Sequence, residues 1–238
     1  MRGSCKKGDN KLMIEKQLVK KAYVCALEQK LTKAKNSYEI AKRDTIEAEG
    51  RMITRYDSMK TETAWLADGF LKEVKEIEQY ISNIEKEREF VNVSDFVELD
   101  LLEKGEYQGT FRYKLSRYGK EKIPERMFNE VIGCFREDSV IIEENKRQME
   151  YRIKTIEKNP DNQVVSLDSI VTIEDDYGES MYYITNYLGG IELEIEGKEI
   201  FCISKQTPIA RQLLGRGQGE NIIIPVNGEM ECIIKNFE

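Results

Sequence analysis

The chain has 238 residues, of which 34% are charged and 40% belong to the hydrophobic set, and its formal net charge is −7. It contains no histidine, which excludes Ser-His-Asp and Cys-His catalysis and histidine-ligated metal sites. This length predicts two domains, with room for an insert.

The cysteine spacing and the lengths of the apolar runs indicate in which cellular compartment the protein is found. The five cysteines form no CxxC pair, so neither a zinc site nor a dithiol redox site is indicated, and we expect reduced thiols. No apolar run reaches the roughly 18 residues of a membrane span, and the first ten residues lack the apolar stretch of a secretory signal. We therefore expect a cytoplasmic protein that contacts no membrane.

Charge is unevenly placed along the chain. Residues 1–35 hold ten Lys and Arg against three Asp and Glu, a charge of +7, whereas residues 164–238 hold five against thirteen, a charge of −8. A basic opening and an acidic end favour docking to a polar partner over binding to free nucleic acid. The alternative is a solvated helix face without a partner.

The first predicted element is a pair of long helices. Residues 11–90 contain no proline and only two glycines, Gly50 and Gly69. Apolar side chains, interrupted by Thr45, recur at steps of three and four in two stretches: Val24, Leu27, Leu31, Ala34, Tyr38, Ala41, Thr45 and Ala48, and then Leu66, Phe70, Val74, Ile77, Ile81 and Ile84. Facing seams predict an antiparallel coiled-coil hairpin over 11–90, with its tip at 50–58, after a disordered tail at 1–10. A helix of about 40 residues extends roughly 60 Å, so this arm would project beyond the rest of the molecule.

The middle segment, 91–163, is longer than a linker requires. Glu125–Ile132 and Asp138–Glu157 are expected to be helical, the second because Val140, Ile141, Met149, Ile153 and Ile156 form a rough apolar stripe. Tyr107–Leu115 is expected to contribute strands. The segment lengthens the coiled coil, forms a small subdomain or marks a family branch, and no chemistry is assigned to it.

From residue 164 the pattern changes to a period of two, which indicates strands. Strands are expected at 169–173, 180–185, 191–194, 199–204, 221–226 and 230–234. Between the fourth and fifth of these strands, Thr207 and Pro208 favour the start of a short helix, and Gly215 favours its end. The sequence therefore predicts a small α+β domain over 164–238.

The segment Ile203–Glu220 resembles the C-terminal signature of the bacterial Gre (GreA/GreB) transcription elongation factors. A dozen positions match with fixed gaps: Ile203, Ser204, Thr207, Pro208, Ile209, Ala210, Leu213, Leu214, Gly215, Arg216, Gly219 and Glu220. The stretch 165–175 resembles the opening of the same domain. The likeness covers roughly residues 11–90 and 164–238, so the chain resembles a divergent Gre factor with an extra middle segment.

This resemblance implies a fold class and a function. The fold would be α+β, a long coiled-coil hairpin followed by an FKBP-like domain that docks on RNA polymerase through Thr207, Pro208 and Ile209. The hairpin would enter the secondary channel and act on the RNA 3′ end of backtracked or paused complexes. Such a factor is not an enzyme and has no cofactor of its own, because it acts on the magnesium of the polymerase. We expect a monomer.

The tip departs from the family pattern, which carries an Asp and a Glu three residues apart. Counting back from Gly69-Phe70 puts the family's Glu near Asp57 and its Asp near Thr54. The tip residues expected to face the polymerase active site are Glu49, Arg51, Arg55, Tyr56 and Asp57. Asp57, alone or with Glu49, would share the polymerase metal, because carboxylates can complete the oxygen shell of a second cation.

Alternatives to this interpretation stay open. The tip charges could merely solvate a turn and form exposed pairs worth about 0–1 kcal/mol each. A factor that enters the channel without both carboxylates could compete with cleavage factors or modulate pausing. Beyond the Gre hypothesis, the chain could be an FKBP-like folding helper with a client-binding arm, or a self-associating coiled-coil scaffold.

Overall fold

The computed structural model describes residues 14–49, 57–86, 92, 95–103, 106–115, 125–135, 137–144, 147–157, 163–225 and 229–238. Its elements are α1 (Lys16–Glu49), α2 (Asp57–Glu85), β1 (Phe96–Glu103), β2 (Glu106–Lys114), α3 (Glu125–Val131), β3 (Ser139–Glu144), β4 (Arg147–Glu157), β5 (Ile170–Asp175), β6 (Gly178–Thr185), β7 (Ile191–Ile195), β8 (Lys198–Ser204), α4 (Pro208–Leu213), β9 (Asn221–Pro225) and β10 (Glu229–Phe237). Across these ranges no helix is both long and apolar enough to cross a bilayer.

The expected fold class, a coiled-coil hairpin with a small FKBP-like α+β domain, is wrong. A helical N-terminal region is followed, within the described ranges, by ten strands in two largely antiparallel sheets. That content is richer in β-structure than a small FKBP-like domain. The difference arises mainly from the middle segment, which supplies four of the strands.

The two long helices pack against each other, but a supercoiled heptad interface is not shown. Lys35 of α1 pairs with Glu78 of α2 at 2.7 Å. Leu66, expected in the second seam, is 52% exposed, whereas Tyr23, one residue before the first seam, is 1% exposed. The physical reason is that the first half of α1 also packs on β7, so burial there follows the contact with a sheet as well as the contact with α2.

The middle segment folds as an antiparallel sheet with the order β2-β1-β4-β3. On β3, Val140 and Ile142 are buried while Ile141 between them is 66% exposed. That alternation is the period of a strand, and β-branched residues fit a pleated surface well. The helix expected over 138–157 is therefore wrong, whereas the expected helix at 125–132 agrees with α3.

The second sheet has six strands in the order β7-β8-β6-β5-β10-β9, and only the β6–β8 pair among these strands is parallel. Its strands agree closely with those expected from the sequence. Because successive side chains of a strand point to opposite faces, Ile170 belongs to the cluster that includes residues of α1 and α2, whereas Val171 belongs to the cluster that includes residues of α3, α4 and the four-stranded sheet. The six-stranded sheet thus contributes its two faces to two different hydrophobic clusters.

Candidate functional site

The segment that resembles the Gre signature forms the end of β8, a tight turn and α4. The Thr207 hydroxyl accepts a hydrogen bond from the backbone N–H of Ala210 at 3.3 Å and donates to the carbonyl of Ser204 at 2.9 Å. Pro208 occupies the first turn, where its missing N–H costs nothing. Local sequence therefore fixes where this helix begins and which way it points.

The residues after α4 return the chain to the sheet. Gly215 has φ +82°, and its N–H donates to the carbonyl of Val165 at 2.8 Å, while the Val165 N–H donates to the carbonyl of Arg216 at 2.8 Å. The Glu220 carboxylate accepts hydrogen bonds from the Gly217 N–H at 2.7 Å and from Arg216 Nη1 at 3.1 Å. These hydrogen bonds within the chain are sufficient to explain why Gly215, Arg216 and Glu220 occupy these positions, without contact to a partner protein.

The surface that α4 presents is small and polar. Of the three residues expected to dock, Pro208 is exposed, while Thr207 and Ile209 are half-buried. Gln206 and Arg211 are also exposed. Because residues three apart on a helix are neighbours, Pro208 and Arg211 lie on the same face of α4.

The turn before α4 is attached to the middle segment. Lys205 Nζ donates a hydrogen bond to the carbonyl of Ile132, and Asn186 Nδ2 donates to the carbonyl of Gly133 at 2.6 Å. Gly133 has φ +78°, and a Cβ there would collide with the Asn186 amide and lie 2.8 Å from Lys205 Nζ. Burial lowers the pKa of Lys205 below its ordinary value. The end of α3 is therefore held against the segment that carries the signature.

A buried pair of tyrosines attaches α1 to the six-stranded sheet. The Tyr23 hydroxyl donates to the carbonyl of Leu188 at 2.6 Å and accepts from Thr185 Oγ1 at 3.3 Å. The Tyr23 ring meets the Tyr183 ring edge-on, with centroids 5.7 Å apart, and the Tyr183 hydroxyl donates to Asp168 at 3.2 Å. Burial raises the pKa of both hydroxyls well above the ordinary tyrosine value. This network fixes the direction in which α1 leaves the sheet.

Two of the five expected tip residues lie at the ends of the long helices. Glu49 is the last residue of α1 and Asp57 is the first residue of α2. Arg51, Arg55 and Tyr56 lie outside the described residues, as does the expected tail at 1–10, so the metal role of Asp57 stays a prediction. Within the residues that are described, no cluster of three or more metal-ligating side chains could hold an ion.

A separate cavity of about 600 Å³ lies against the six-stranded sheet. Ile14 forms one wall, and Ile170, Met181, Glu179 and Lys198 contribute to its lining. It includes no residue of the signature, so it is not part of the candidate docking site.

Sequence reasoning missed the residues that join the three parts of the molecule. Lys205 lies inside the signature segment, but between matched positions. For Tyr23, the only sequence signal of a structural role is its position beside the expected seam. Asn186 and Gly133 carry no such signal, because their partners are distant in the chain.

Comparisons with known proteins find weak similarity to solved structures. No family model and no curated protein matches the chain. Among solved structures, the chain is similar to "the transcription factor Gfh1" (12% identity, 92% of this chain and 94% of that chain, TM-score 0.28). It is also similar to GreA factor homolog 1 of Thermus thermophilus (12% identity, 90% and 94%, TM-score 0.24) and to Thermus aquaticus Gfh1 (11% identity, 92% and 95%, TM-score 0.26). At TM-scores of this size the likeness carries no inference about the fold or function of this chain.

Proposed function

We propose that this chain is a transcription elongation factor that binds RNA polymerase and is not itself an enzyme. The observation that carries the proposal is the match of a dozen spaced positions in Ile203–Glu220 to the Gre signature. Turn and cap chemistry accounts for Thr207, Gly215 and Glu220. It leaves Pro208 as an exposed matched position. Arg211 is not a matched position but lies on the same exposed face of α4, and this face would dock on the polymerase.

The two N-terminal helices are the part that would reach the polymerase active site. Anchored by Tyr23 at the sheet, α1 extends over 34 residues, about 50 Å at the rise of a helix. The segment between α1 and α2 would enter the secondary channel, where backtracked or paused complexes hold the RNA 3′ end. The folding-helper alternative rested on an FKBP-like fold, which the structure does not have.

The chemistry at the tip depends on carboxylates. RNA cleavage requires a second divalent cation and a polarised water beside the resident magnesium. Asp57, together with Glu49, would supply oxygen ligands to that second cation, and the metal would belong to the polymerase site. Arg51 and Arg55 would contact phosphate, for which arginine is well suited.

A transcript-cleavage assay on a backtracked complex tests this chemistry. We expect Asp57→Asn to reduce cleavage stimulation by about tenfold or more, because the substitution removes an ionised metal ligand. Asp68→Asn is the matched control, since Asp68 lies on the same helix, is exposed and is distant from its first turn. If wild type and Asp57→Asn bind the polymerase and are equally inactive in cleavage, the tip donates no metal ligand.

A further inference from the structure

We propose that α3 of the middle segment and α4 form one composite docking surface for RNA polymerase, so that the partner contacts both helices. This inference rests on the proposed function and names a part of the docking surface that the Gre signature does not contain. The surface surrounds a notch of about 110 Å³, which is lined by Asn129, Glu130, Ile132, Lys205, Gln206, Arg211 and Leu214.

The two sides of the notch are exposed and belong to different parts of the chain. Asn129 and Glu130 of α3 are exposed on one side, and Gln206 and Arg211 are exposed on the other. Pro208 lies on the same face of α4 as Arg211. A partner that covers Pro208 and Arg211 therefore lies beside α3 as well.

Two partly buried hydrogen bonds connect the end of α3 to the six-stranded sheet and the turn before α4. Lys205 Nζ bonds the carbonyl of Ile132, and Asn186 bonds the carbonyl of Gly133 at 2.6 Å. A Cβ at Gly133 would collide with Asn186 Oδ1, so the Asn186 side chain would have to move; glycine lets the end of α3 approach Asn186 and Lys205 closely. A surface that is already rigid loses less conformational freedom on binding than a mobile one.

The charges around the notch indicate the kind of partner. Glu130 of α3 contributes a negative group to the lining, and Lys205 and Arg211 contribute two positive groups from the signature segment. A protein surface that presents a basic and an acidic side chain matches these groups. A phosphate backbone is a poorer match, because residues 164–238, which include Lys205 and Arg211, carry a net charge of −8.

Charge reversal on each side separates this inference from the proposed function. The full chain is titrated with core RNA polymerase as wild type, Arg211→Glu, Glu130→Arg and Glu143→Arg. Glu143 is the matched control because it is exposed on β3 of the same segment and lies outside the notch. We expect Arg211→Glu and Glu130→Arg each to weaken binding by about tenfold or more, and Glu143→Arg to bind as wild type does.

The outcomes are distinct. Loss of binding in Arg211→Glu with wild-type binding in Glu130→Arg overturns the composite surface and leaves the proposed function standing. Absence of binding by wild type overturns both. A photo-crosslinking residue placed at Asn129 gives a second readout, since it should form an adduct with a polymerase subunit, whereas the same residue at Glu143 should not. No adduct at Asn129 while wild type binds also counts against the surface.

Discussion

At the scale of single residues, the tyrosine network stands out because it ties a helix to a sheet by groups that are buried and hydrogen-bonded. Tyr23 and its hydrogen-bond partner Leu188 are 165 residues apart in the chain. Its ring is almost fully buried, and its hydroxyl has both a donor and an acceptor partner. A buried polar group of this kind stabilises the fold only while its partners remain in place.

Removing the Tyr23 hydroxyl should therefore destabilise the protein. We expect Tyr23→Phe to lower the free energy of unfolding by about 1–3 kcal/mol, because it leaves the carbonyl of Leu188 and the hydroxyl of Thr185 without this partner in a buried site. Urea denaturation measures the change. Tyr38→Phe is the control, since Tyr38 lies on the same helix and is half-buried. Equal stability of Tyr23→Phe and wild type would show that the network contributes nothing.

The same residues predict how stability depends on pH. Burial raises the pKa of Tyr23 and Tyr183 above the ordinary value of 10.0, so the folded state holds these protons after the unfolded state has lost them. Their contribution is complete below pH 10 and declines as the pH rises above it, by up to about 1.4 kcal/mol per pH unit for each group.

Denaturation curves between pH 9 and pH 11 check this sign and slope. We expect the decline to be shallower in Tyr23→Phe than in wild type, since one of the two groups is then absent. A wild-type stability that is flat or rising over this range contradicts the account.

At the scale of elements, the sequence predicts the parts whose structure is set locally. The cap at Thr207, the first-turn proline and Gly215 define α4 through contacts within a few residues. Burial along β7 alternates as a period-two sequence predicts, whereas the first four residues of β5 are all buried. The prediction of a helix over 138–157 was wrong because the apolar residues there fit a rough helical stripe as well as a strand. Val140 and Ile142 become a buried face only when β4 pairs with β3.

Contacts between elements were not predictable from one sequence. Lys205 and Ile132 are 73 residues apart, and a lysine inside a polar turn gives no sign of a buried carbonyl partner. Leu66 fits the predicted heptad seam but is exposed in the structure, so the spacing alone did not predict its burial. The candidate docking face was therefore predictable at α4 and not at α3.

The junction between α3 and the signature segment provides a test at this scale. We expect Gly133→Ala to lower the free energy of unfolding by about 2–4 kcal/mol, because it combines a left-handed backbone with a collision against Asn186. Gly190→Ala is the matched control, since Gly190 has φ +72° but nothing within 4 Å of its Cβ position.

The difference between these two variants isolates the collision from the backbone strain. Thermal or urea denaturation of both proteins gives it directly. If Gly133→Ala is no less stable than Gly190→Ala, the end of α3 does not depend on close approach at this position.

At the scale of the whole molecule, the six-stranded sheet is the central element, because other elements pack on both of its faces. Its one face holds the base of the helix pair through Tyr23 and Tyr183, and its other face shares a core with α3, α4 and the four-stranded sheet. The α4 segment and the two long helices are thus connected through the packed six-stranded sheet.

The most direct test of the central claim is an anisotropy titration of the labelled full chain with core RNA polymerase, followed by competition with a Gre cleavage factor. The account predicts saturable binding that the competitor displaces. It also predicts an affinity loss of about tenfold in Pro208→Asp but not in Tyr177→Asp, which changes an exposed residue away from α4. Absence of saturable binding, or equal affinity of Pro208→Asp and wild type, contradicts it.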